Sequence, residues 1–92
     1  MGMTSLALPA VLTMGEARAT LASLEAALQS EAQPVIDASG LQTLDTAAVA
    51  VLLQCRRLAA HAGKPLTIAG APPKLAELAS LYGVAEVLNL AS

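Results

Sequence analysis

The segment that most constrains this chain is residues 35–53, VIDASGLQTLDTAAVAVLL. The β-branched pair Val35 and Ile36 leads into Asp37 as in a buried parallel strand. A short polar loop follows, and behind Asp45 and Thr46 an apolar run opens with the pattern of a helix start. That helix extends to about Ala62 and is ended by Gly63; after Pro65, residues 66–69 read as the next strand. A strand, a helix and a second strand in this order cross over right-handed and lie parallel, which predicts an α/β domain.

The flanking segments extend the same alternation. Leu6, Leu8, Ala10 and Leu12 occupy alternate positions of residues 5–12, the period of one strand, with Pro9 removing a ladder donor as at an edge or bulge. Thr13 and Glu16 have the spacing of a capping box. Behind them Ala17, Leu21, Leu24 and Leu28 recur on one helical face to about Gln29, and Pro34 ends the segment. Pro72 and Pro73 open a third helix with Leu75, Leu78, Ala79 and Tyr82 as its inner stripe and Gly83 at its end. Residues 84–90 read as a short tail strand or turn. The expectation is one domain over residues 1–92, with a small, mostly parallel sheet packed with three to four helices. No repeat, linker or low-complexity tract interrupts it.

At 92 residues, folding buries only about 60 to 65% of the unfolded chain's surface, so stability is modest. The chain is 55% hydrophobic, but much of that is alanine, and the working core must be leucine. Tyr82 is the one aromatic residue, the net charge is −2, and Arg56 and Arg57 form the only basic cluster. There is neither a stacking platform for bases nor an electrostatic footprint for nucleic acid. The longest run free of polar residues, 47–53, falls far short of the roughly 20 needed to span a bilayer, so a soluble chain without membrane insertion is expected. Residues 17–19 faintly mimic a cleavage site, but no Lys or Arg precedes the apolar start, which reads as mature chain. The lone Cys55 argues against a disulfide framework and fits a reducing, cytoplasmic compartment.

The beginning of the second helix is the candidate site. Backbone N–H groups are unpaired there and the potential is positive, so Thr46 is placed to meet an anion, a phosphoryl group or a partner surface. With Asp45 as N-cap, Leu44 and Val49 fall at the staple positions and Thr46 points outward; with Thr46 as cap, its oxygen is taken by a backbone amide. Both assignments are open at this level. Projected at 100 degrees per residue, Thr46, Ala50, Gln54, Arg57 and His61 share one side with Ala47 beside them, small at its start and polar along its length. Arg56 falls on the opposite side, where it must snorkel out or find a partner. The plainer alternative makes Thr46 only a cap worth about 1 kcal/mol and the alanines helix filler.

Catalytic arrangements are missing. Gly63 and Lys64 precede Pro65, not the hydroxyl of a phosphate-binding loop. His61, the only histidine, falls over 20 Å from Asp45 at about 1.5 Å per residue, too far for a Ser-His-Asp arrangement. No second His or nearby thiolate completes a metal site, and no cofactor is implied.

Taken together, residues 36–41 as an aspartate-ended strand and loop, Leu44, Asp45 and Thr46 as a following pair, and the apolar helix start 49–53 resemble the STAS domain family of anti-sigma-factor antagonists and sulfate-transporter domains. Residues 63–70 resemble the family's next strand, 75–87 its closing helix and strand, and the likeness covers about residues 5–88. The resemblance implies a STAS-like fold, a small mixed sheet with four or five helices, without enzymatic activity and working by binding. In the antagonist branch the hydroxyl matching Thr46 is phosphorylated by a partner kinase. In the branch of the small cytoplasmic subunit of Mla-type phospholipid-transport ABC transporters, which the alanine-rich helix start and residues 78–84 resemble most, that threonine lies at the contact with the ATPase. The expected partner is that ATPase, with a contact face of Asp45, Thr46, Ala47, Ala50, Gln54 and Arg57, at the inner face of the membrane only through the partner. An anti-sigma-factor kinase is the alternative partner, and a module binding only itself is a third class. Family members begin with a two-strand hairpin where this chain has only residues 5–12, leaving a sheet edge as a route to a homodimer.

Overall fold

The computed structural model describes residues 5–91; residues 1–4, part of the apolar start, and residue 92 lie outside the described residues. The element order is β1 (Ser5–Ala7), β2 (Val11–Leu12), α1 (Met14–Ser30), β3 (Val35–Asp37), β4 (Thr43–Leu44), α2 (Thr46–His61), β5 (Thr67–Ala69), α3 (Pro73–Leu81), α4 (Ala85–Leu88) and β6 (Leu90–Ala91). The main sheet has the order β1-β3-β5-β6, and β2 pairs with β4 in a second, two-stranded sheet. Every pairing among the described residues is parallel. The α/β class and the helix count match expectation. The strands follow chain order across the main sheet, so right-handed crossovers place the helices on one face. α2 is the middle helix of that layer, packed against α1, α3 and α4.

Three segments differ from the sequence reading. Residues 5–12 form two strands in different sheets rather than one, because the chain breaks around Pro9, which has no N–H to donate. The carbonyl of Ala10 instead accepts from the backbone N–H groups of Gln42 and Thr43 at 2.8 and 2.9 Å, which brings β4 alongside β2. β4 has no counterpart in the sequence reading because two residues cannot display an alternation. The tail at residues 84–90 is one helical turn, α4, followed by β6, and the chain reverses between them at Asn89, whose φ is 50°.

The core is leucine-rich: Leu12, Ile36, Leu52, Ile68, Leu75 and Leu88 are fully buried, and Leu24 and Leu28 bring the inner face of α1 onto them. Tyr82 is not part of the inner stripe expected of α3. The helix stops at Leu81, so the helical projection no longer applies, and the ring stands 55% exposed. α1 begins as the sequence suggests, with the Glu16 carboxylate accepting from the backbone N–H and the hydroxyl of Thr13 at 2.9 and 2.6 Å. Those bonds, the hydroxyl's foremost, hold the Glu16 carboxyl below its usual range.

Candidate functional site

The structure decides which residue caps α2. Asp45 is extended, with φ −135° and ψ −163°, and its Oδ1 accepts from the Ala47 backbone N–H at 2.8 Å. Its Oδ2 faces the backbone N–H of Met14, the first residue of α1, at 3.4 Å. One carboxylate thus stands against two helix N-termini, where negative charge is favoured. Leu44 and Val49, at the staple positions around this cap, both belong to the buried core.

With Asp45 as cap, Thr46 is the first residue of the helix and its side chain is exposed. Ala50 and Arg57 are exposed behind it, while Ala47 and Gln54 are half-buried. All five lie on the outer side of the middle helix, as the helical projection places them. His61 closes the same helix at its far end. The buried face opposite carries Val51, Leu52, Cys55 and Ala59.

Shallow grooves flank Ala50 on both sides. One, between α1 and α2, is lined by Ala17, Arg18, Leu21, Ala47, Val51 and Gln54. The other runs between α2 and the corner joining α3 to α4, lined by Thr46, Val49, Leu53, Tyr82 and Val84. Leu53 continues it into a further depression beside Arg57, Ala60 and Val87. Arg18, Leu21, Leu53, Tyr82 and Val87 also border these grooves, and no local pattern in the sequence shows it because helix packing sets their neighbourhood with α2. Tyr82, the lone aromatic residue, is the one sequence signal for this edge, although helical spacing places it on the inner stripe of α3.

Arg56 has a structural place that helical projection could not show. Its Nη1 donates to the Leu66 carbonyl at 2.5 Å and its Nη2 to the Leu88 carbonyl, with Asn89 O at 3.5 Å. It therefore fastens the α4–β6 segment to α2 and to the start of β5. Its Nε is buried without a partner, and burial lowers the affinity of the guanidinium for its proton.

The Cys55 thiol is fully buried, and burial, reinforced by Glu25, pushes its pKa up to about 11, so it stays protonated at neutral pH. Among the described residues no three His, Cys, Asp or Glu side chains gather as a metal ion would need. No helix among them is long and apolar enough to cross a membrane. What the site offers is an exposed hydroxyl and apolar grooves beside it.

A small parallel α/β domain of this design is found among proteins of known structure. The structure of an anti-sigma-factor antagonist (STAS) domain protein from Planctomyces limnophilus superposes with a TM-score of 0.77, covering 92% of this chain and 78% of that one at 18% identity, a likeness of fold. The family model described as Mlab, STAS domain matches residues 3–90, and the chain belongs to the STAS domain family. STAS domains are generally regulatory and interaction modules. No curated protein matches the chain.

Proposed function

We propose that the protein is a STAS subunit that binds and stabilises the cytoplasmic ATPase of an Mla-type phospholipid-transport ABC transporter, acting by contact and not by catalysis. The contact face is the outer side of α2, with Asp45 shaping its entry and Thr46, Ala47, Ala50, Gln54 and Arg57 presented to the partner. The observation that carries this reading is the exposure of Thr46 at the first position of α2, with a groove on either side of Ala50. Small side chains at Ala47 and Ala50 let a partner approach the backbone closely. The family model's description agrees with this branch.

Co-expression of the chain with the ATPase tests it. Thr46→Glu abolishes co-purification while the circular dichroism spectrum and unfolding midpoint stay unchanged, because a desolvated charge is set against a surface without a matching cation. Retention of that variant on the ATPase removes the contact face from consideration.

A second reading draws on the same exposed hydroxyl: an anti-sigma-factor antagonist switched by a partner kinase at Thr46, where a phosphate of about −1.5 to −2 charge is favoured at the helix N-terminus. Intact-mass measurement on protein from its own host separates the two, since only the antagonist carries a stable phospho-form.

A further inference from the structure

The depressions around Ala50 and Leu53 have a charge pattern that the chain as a whole does not share, and that differs from the groove between the far ends of α1 and α2, where Glu25, His61 and Lys64 line the wall. The sequence has seven Asp and Glu against five Lys and Arg. Yet the charged side chains lining the three depressions around Ala50 and Leu53 are Arg18, Arg56 and Arg57, and no carboxylate lines any of them. Arg56 is engaged with backbone carbonyls, whereas Arg18 and Arg57 are exposed. The apolar part of the same surface is open to solvent. Tyr82 is 55% and Val87 58% exposed, and both border the trough that Leu53 makes continuous from Thr46 to Arg57.

We propose that this surface takes an apolar segment of a protein partner that is flanked by carboxylates, with an acidic side chain meeting Arg57 at one end of the trough and a second one meeting Arg18 across Ala50. The proposal rests on the reading of the α2 face as a protein-binding surface and adds the chemistry of what binds there. Complementary charge selects the partner and its orientation, while the apolar trough contributes burial. Thr46 and Arg57 are eleven residues apart on one helix, a span of about 16 Å at 1.5 Å per residue. The Asp45 carboxylate already occupies the N-terminus of α2, so the second acid of the bound segment meets Arg18 and not the helix end. Grooves on both sides of a ridge fit the side chains of a folded segment better than they fit a flat bilayer.

Two synthetic helical peptides test this. Both share one Leu and Ala core; one is flanked by Glu and the other by Lys. Binding is read by fluorescence anisotropy to the full chain at low and high salt. The Glu-flanked peptide binds about tenfold or more tightly than the Lys-flanked one, and the preference shrinks as salt rises. The double variant Arg18→Glu with Arg57→Glu reverses the order. Equal binding, preference for the Lys-flanked peptide, or binding of neither overturns the proposal. So does recruitment to phosphatidylglycerol vesicles in place of peptide, which assigns the surface to a membrane. If Thr46→Glu blocks both peptides equally in a chain that shows no charge preference, the acidic partner is refuted while the α2 face stands. Unchanged co-purification of Thr46→Glu with the ATPase refutes the face itself.

Discussion

The ammonium of Lys64, in the loop after α2, donates to the carbonyl of Leu28 at 2.6 Å, and to that of Gln29 at 2.9 Å. These carbonyls lie in the last turn of α1, which has no basic residue of its own to offset the helix dipole. A side chain from the second crossover therefore completes the C-terminus of the first. Lys64→Met keeps the stem and removes the donor. It should lower unfolding free energy by about 1 to 2 kcal/mol, seen as a lower urea midpoint at unchanged slope.

Arg56 performs a similar task at a more buried place. Arg56→Ala leaves the carbonyls of Leu66 and Leu88 without their donors and should cost about 2 to 4 kcal/mol. Arg56→Lys should recover less than half of that, because one ammonium cannot reproduce the fork that reaches β5 and α4 together. Amide exchange at Leu88 and Asn89 rises before exchange in α1 if the guanidinium is the fastening of the tail.

Gly70 has φ +70°, and a Cβ there would stand 2.9 Å from the Ser39 Cβ. Gly70→Ala therefore combines a left-handed backbone with a clash, for a loss of about 1 to 3 kcal/mol. Pairing it with Ser39→Gly removes the nearest contact but leaves the residue 39 backbone nitrogen at 3.3 Å and the backbone strain, so thermal denaturation should show partial recovery.

Cys55 makes stability fall at alkaline pH. Its folded pKa, about 11, lies above the ordinary value of 9.0, so the stabilisation is complete below pH 9.0 and is lost as pH rises toward 11. Cys55→Ala should flatten the pH dependence of the urea midpoint across that window. A thiol reagent at pH 8 should modify the folded chain only at the rate of its opening.

Asp45→Ala removes the cap from Ala47 N and the contact with Met14 N, and should cost about 1 kcal/mol. Thr46→Ala should leave stability within about 0.5 kcal/mol, because an exposed first-turn side chain that caps nothing contributes little. The difference between the two in chemical denaturation checks which residue is the cap.

Much of this molecule could be read in the chain because its signals are local. The capping box at Thr13 and Glu16, the proline entry to α3 and the helix-ending glycines are set by neighbours a few residues away, and all lie where the sequence places them. So does the outward side of α2, since a helical projection needs only the period of 3.6. Signals failed where an element was too short or its partner too distant. β4 has two residues, α4 has four, and Tyr82 lies just past the point where the projection ceases to hold.

The amino-acid order determined on its own that strands and helices alternate, that leucine fills the core, and that one side of α2 is small and polar. Periodicity and capping are properties of adjacent residues, and adjacency survives in a linear chain. Only tertiary packing decided that Asp45 takes the cap and frees Thr46, that Arg56 holds a segment more than thirty residues away, and that Arg18 and Arg57 border grooves free of acid. Those relationships join helices from different crossovers, so they exist only once the sheet has set the helices side by side.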